Sequence, residues 1–200
     1  MVSISPPCTV VCRAASLSFI SQIVFEKRKE DDILNDCLMS VDGTDYRIYQ
    51  KGSRFASHKY AGKSALRYEL GICIRTGRLV WIQGPYPAGE WNDIAIFTDC
   101  LAHFLDPDER VEADCGYVGH ADLIKCPNNP SNPQENLAMQ GRVRSRHETF
   151  NGRLKTWEIL KQVFRHDISR HSSVLHACCV ISELMVENGE PLFAVEYSDE

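Results

Sequence analysis

Two apolar runs in this chain each stop at an aspartate followed closely by glycine. Leu38-Met39-Ser40-Val41 ends at Asp42-Gly43-Thr44-Asp45, and Val111-Glu112-Ala113 ends at Asp114-Cys115-Gly116-Tyr117. Short apolar runs bounded by turn residues read as buried strands, so each acid stands where a strand leaves the core. If those strands neighbour each other, two carboxylates meet at one end of a sheet.

The segments between them indicate which sheet. Residues 66–74 alternate, with Leu66, Tyr68, Leu70, Ile72 and Ile74 on one face and Arg67, Glu69, Gly71 and Cys73 on the other, which is a strand with a buried face. Thr76-Gly77 turns it into Arg78 to Gln83, and Gly84-Pro85 is expected to stop this second arm of an antiparallel hairpin. Asp93 stands before a helix carrying Ile94, Phe97, Leu101 and Phe104 or Leu105, where an acid is most simply an N-cap. The strand to Asp114 follows, then a short strand from Asp122 to Cys126, and a loop from Pro127 to Gln134. One helix with the stripe Phe150, Leu154, Trp157, Leu160 and Phe164 comes next, and its opposite face gathers Glu148, Gly152 and Lys155. A last apolar helix runs from Val174 to Val186, closed by Gly189. Three antiparallel strands followed by crossover-linked ones predict an α/β fold, a mixed five-stranded sheet flanked by helices. In it the ends of the first and fourth strands lie side by side, bringing Asp42 and Asp114 together.

Two hundred residues make one domain, divided here into a lead over 1–36 with helix-forming character, a folded domain over 37–197 and a tail over 198–200. The net charge of −5 gives no general attraction for nucleic acid, so a local patch must supply it. Residues 142–166 do: seven basic residues, among them Arg142, Arg144, Arg146, Arg153 and Lys155, stand against Glu148 and Glu158. A solvated helix face has the same composition. The nine cysteines show no CxxC pair and fall mostly in apolar runs, as buried reduced thiols do. Cys115, His120 and Cys126 are a zinc candidate lacking a fourth ligand. Arg13 interrupts the apolar stretch from Thr9 to Phe25, so neither a signal peptide nor a membrane span is expected.

Two aspartates close together in a desolvated cleft repel, and divalent cations remove the conflict. Mg²⁺ or Mn²⁺ takes oxygen ligands, and a pair of ions about 3.5–4 Å apart promotes in-line displacement at phosphorus. In this scheme Asp42 bridges both ions, Asp114 binds one and Glu148 the other, while Arg144, Arg146, Arg153 and Lys155 hold phosphates of the strand. Local sequence leaves other readings open. Asp42-Gly43 and Asp114-Cys115-Gly116 are also turn grammar, Glu148 is also a salt-bridge partner for nearby arginines, and Asp45 is an alternative ligand to Asp42.

Val41-Asp42-Gly43-Thr44, Asp114-Cys115-Gly116-Tyr117 and the span Arg144 to Lys155 around Glu148 stand in the order of a known motif set, and 33 residues separate Asp114 from Glu148. With the Trp91-Asn92-Asp93 to Ile96-Phe97 segment, the chain resembles the DDE superfamily endonuclease domain of PIF/Harbinger-type transposases from Cys37 to Tyr197. The resemblance implies an RNase H-like fold, catalytic Asp42, Asp114 and Glu148, a supporting role for Asp93, two divalent ions and metal-dependent cleavage of DNA with strand transfer. It implies a nuclear location in a eukaryotic cell, an intracellular one otherwise, and is compatible with a homo-oligomer. Only 41 residues precede Asp42 and they show no helix-turn-helix pattern, so specific DNA recognition is expected to be either missing or supplied in trans by a separate DNA-binding partner. A catalytically inactive, domesticated descendant that binds DNA or protein is the alternative, and an RNA or hybrid substrate is a further one.

Overall fold

The computed structural model describes residues 23–29, 37–127 and 133–190. Five strands form one sheet: β1 (Cys37–Arg47), β2 (Ala65–Cys73), β3 (Leu79–Pro87), β4 (Arg110–Ala113) and β5 (Ile124–Lys125). Their order is β3-β2-β1-β4-β5. β1, β2 and β3 pair antiparallel, whereas β4 joins β1, and β5 joins β4, in parallel. Helices α1 (Asp93–Asp99), α2 (Pro133–Leu154), α3 (Glu158–Lys161) and α4 (His171–Glu187) flank it. This is the expected α/β arrangement, a mixed five-stranded sheet consistent with the RNase H-like fold.

Strand alternation divides the core into two layers. Leu66, Tyr68, Leu70 and Ile72 pack against Phe150, Leu154, Leu160, Phe164, Leu175 and Cys179 on one side. Met39, Val41, Val111 and Ala113 pack with Phe25, Phe97, Leu101 and Tyr117 on the other. At about 25 cal/mol per Å² of buried apolar surface, these two layers are the main favourable term holding the sheet.

Several boundaries differ from the pattern reading. β1 does not end at Asp42. It continues to Arg47, paired with β2 from Met39 opposite Cys73 to Arg47 opposite Ala65. β3 likewise runs through Gly84-Pro85 to Pro87, because an irregularity in its pairing with β2 absorbs those residues between the Gln83 and Tyr86 rungs. The helix after Asp93 stops at Asp99, and a separate 3₁₀ turn holds Leu101–His103. β5 is only Ile124–Lys125. Pro133, expected in a loop, opens α2, where proline's missing N–H costs nothing. Residues 1–22, 30–36, 128–132 and 191–200, with Cys8, Cys12, most of the lead and the tail, lie outside the described residues.

The largest difference is in the helix of the apolar stripe. α2 ends at Leu154, Trp157 precedes α3, and Phe164 lies extended beside β1, its N–H bonded to the Arg47 carbonyl at 2.9 Å. The stripe residues still reach one core, because a helix turn and an extended segment can deliver side chains to the same surface. Periodicity alone did not separate the two.

α2 is held on the sheet by polar contacts as well as packing. His147 Nε2 lies 3.2 Å from Ser40 Oγ on β1, and Arg146 Nη1 donates to Glu112 Oε2 on β4 at 2.9 Å. Burial drives the His147 imidazole down to about 3, so it docks neutral. Arg146, expected on DNA, is therefore directed at β4. Arg146→Ala leaves the Glu112 carboxylate, 8 % exposed, without its cation. We expect about 2–3 kcal/mol of lost stability, somewhat below the ~3–5 kcal/mol of a fully buried pair, read as a lower denaturation midpoint.

Candidate active site

The register of β1 and β4 positions the two aspartates. Their last paired residues are Val41 and Ala113, so Asp42 and Asp114 are the next residues on adjacent parallel strands. Adjacent strands lie about 4.8 Å apart. Beyond this rung β1 continues while β4 ends, and the divergence opens a cleft of about 560 Å³. Asp42, Asp93, Asp114 and Glu148 all line it, with Lys59, Arg144 and Lys155. The helix-face argument is met for Glu148, Gly152 and Lys155, which reach the cleft together. Arg153 is not among the lining residues.

Each acid is held differently. Asp114 caps the 3₁₀ turn Cys115–Tyr117, its Oδ1 accepting from the Gly116 N–H at 2.7 Å. This Asx turn uses only the backbone N–H of residue 116. Asp93 is not the N-cap of α1; Asn92 is, its Oδ1 accepting from the Ala95 N–H at 2.9 Å. That frees the Asp93 side chain to enter the cleft, where its Oδ1 lies 3.3 Å from Arg67 Nη1 but, though buried, makes no hydrogen bond. Asp93 sits so close to β1 that a Cβ on Gly43 would come within 1.9 Å of its Oδ1. A Cβ on Gly116 would lie 3.3 Å from its Oδ2. The glycines after Asp42 and Asp114 thus make room for a fourth acid.

Asp45, the alternative ligand, has other partners. It is 1 % exposed, takes Arg67 Nε on Oδ1 at 2.7 Å, and accepts from Arg67 Nη2 and the Ser57 hydroxyl on Oδ2. Asp45 also lines the cleft, but an acid so fully bonded is a structural anchor, whereas Asp42 carries no such ion pair among the described residues.

Burial, then the charges of Asp114 and Asp93, push the Asp42 carboxyl from 3.8 up to about 7. Burial also raises Asp93, against the opposing effect of Arg67. Below them Glu69 is wholly buried, accepts from Trp81 Nε1 at 3.1 Å, and is pushed by burial up to about 8. The site is therefore an excess of negative charge in partly desolvated surroundings, which binds cations or protons. Its donors are carboxylate oxygens, the set that Mg²⁺ and Mn²⁺ prefer. Among the described residues no three acids, histidines or cysteines stand close enough to share one ion. The zinc candidate is not assembled either: His120 Nε2 faces Thr98 Oγ1 at 3.2 Å, and Cys115 lies against the Pro127 carbonyl and Gln140.

The model of the DDE superfamily endonuclease family matches residues 41–183, from the start of the first acid's motif to α4. The chain belongs to this family. No curated protein and no solved structure matches it. Membership supports transposase-like nuclease function, and DNA is the substrate that it implies. Among the described residues no helix is long and apolar enough to cross a membrane. Sequence reading missed Lys59, which sits in an insert without periodicity and gave no signal. Arg67 did give one, since it lies on the polar face of an otherwise apolar strand.

The pH behaviour of Asp42 can be measured. Folding raises this carboxyl, so its charge opposes folding only where it ionises: there is no penalty below about 3.8, and stability is withdrawn as pH rises from there to about 7. With chelator present, Asp42→Asn should melt several degrees above the unaltered chain at about pH 8 and show little difference near about pH 4. Manganese should raise the melting temperature of the unaltered chain more than that of the variant.

Proposed function

We propose that this chain is a divalent-metal-dependent DNA endonuclease of the transposase type, cutting phosphodiesters and able to support strand transfer. The observation that carries this reading is the juxtaposition of Asp42 and Asp114 one rung past the last β1–β4 pair, with Glu148 lining the same cleft from α2. Asp42, Asp114 and Glu148 would hold Mg²⁺ or Mn²⁺. When bound, such ions lower the pKa of an attacking water or hydroxyl and neutralise charge on the leaving oxygen.

The chain's own residues prepare that chemistry. The Asx turn holds Asp114 in place, and the His147 and Arg146 contacts fix the helix that carries Glu148. Arg144 and Lys155 bring positive charge to the rim, suited to phosphate contacts that are independent of base sequence. The motif contexts support a place with the PIF/Harbinger type, and with it a separate DNA-binding partner, assembly of several copies and a nuclear location in a eukaryotic cell.

One observation favours a second reading, a catalytically inactive descendant that retains DNA or protein binding: the acids line one cleft without closing around one ion. Nicking of supercoiled DNA in manganese separates the two. The full chain should nick, and Asp114→Asn should lose activity by on the order of 100-fold or more, as when a single preorganised transition-state contact is removed. Equal activity in both proteins would end the enzyme reading. Competition between duplex DNA and an RNA–DNA hybrid should favour the duplex.

A further inference from the structure

The insert between β1 and β2 carries a cation that none of the family motifs includes. Residues 48–64 fold back through two 3₁₀ turns, Ser53–Phe55 and His58–Tyr60. The second is fastened to β1 at both ends. The Ser57 hydroxyl donates to Asp45 Oδ2, and the Tyr60 hydroxyl donates to the Asp45 carbonyl at 3.0 Å. Residues three apart eclipse in a 3₁₀ turn, so Ser57 and Tyr60 both reach down to Asp45 and Lys59 is left facing outward. Backbone bonds from the Ser57 N–H to Lys63 O and from the Gly62 N–H to Ser57 O close the loop at 3.0 and 2.8 Å. Lys59 is thus presented from a braced turn, and it lines the acidic cleft together with the α2 residues.

Two ammonium groups from unrelated elements, Lys59 and Lys155, share this cleft. Neither forms an ion pair with a carboxylate among the described residues. Burial, then the charge of Lys59, lowers Lys155. Lys59 in turn lowers Asp42 and Asp93. Like charges held near each other without a salt-bridging acid are arranged for an anion that bridges them, and an ammonium is a point-charge donor for phosphate oxygen.

We propose that Lys59 is a positioning residue that, together with Lys155, binds a backbone phosphate of the DNA strand lying across the acidic cleft. The proposal rests on the DNA-cutting reading of that cleft and adds a contact from the β1–β2 insert. Lys59 would orient the strand before any bond is cut. The bland alternative is that Lys59 only offsets the charge of Asp42 and Asp93.

The two differ in what DNA binding without divalent metal reports. We would measure affinity of the full chain for a short duplex in chelator across a salt series, for the unaltered protein, Lys59→Ala and Lys59→Arg, alongside thermal melts and manganese nicking. A phosphate contact predicts that Lys59→Ala weakens binding several-fold and reduces the log–log salt slope by about 0.9. Lys59→Arg should restore the slope, and the Lys59→Ala melting temperature should stay close to that of the unaltered chain. An unchanged slope with nicking intact in the unaltered protein overturns the role of Lys59 alone, and a fall in melting temperature with that slope assigns it to charge balance. Absence of both binding and nicking in the unaltered protein overturns this proposal together with the reading beneath it.

Discussion

The pairing of β1 with β4 runs out one rung before two aspartates, and the rest of the site follows from that rung. Backbone hydrogen bonding fixes adjacent strands about 4.8 Å apart, and the acids inherit this proximity whether or not it suits them. Burial first, and then the neighbouring acids, raise the Asp42 carboxyl there. The sheet keeps the arrangement because its stability comes from elsewhere, from the two apolar layers on its faces.

Four aspartates of similar local appearance are given distinct parts by their partners. Asp45 is enclosed by Arg67 and Ser57 and braces the β1–β2 insert. Asp114 is pinned by the Gly116 N–H. Asp93 is released into the cleft because Asn92 takes the capping bond, and it fits only because residue 43 has no side chain. Asp42 accepts from the Gly43 N–H and stands beside Asp93 and Asp114 in the cleft. Arg67 ties two of these together, its Nε and Nη2 on Asp45 and its Nη1 beside Asp93. The acids and the insert bearing Lys59 are therefore mechanically connected through Asp45.

α2 shows the same division among neighbours in sequence. Arg146 turns to Glu112, His147 to Ser40 and Glu148 to the cleft. Successive helical positions are about 100° apart, so three adjacent residues serve strand β4, strand β1 and the site. The basic composition of this stretch was visible in the sequence, but which of its cations face DNA was not. Arg144 and Lys155 face the cleft, while Arg146 belongs to the interior.

What the sequence by itself determined was local and periodic. The alternation of 66–74 marked a strand, although both of its faces rather than one are buried in the sheet, the two apolar runs ending in Asp-Gly and Asp-x-Gly marked the acids, and helical spacing put Glu148, Gly152 and Lys155 on one face. These signals survive because they depend on neighbours a few residues away. Tertiary structure decided the rest: the continuation of β1 past Asp42, the break of the long helix after Leu154, the entry of Asp93, the withdrawal of Asp45 and the arrival of Lys59. Each of these depends on a contact between residues far apart in the chain, such as Arg47 with Phe164 or Gly43 with Asp93. No local period encodes such a contact, because its energy exists only once the sheet has formed.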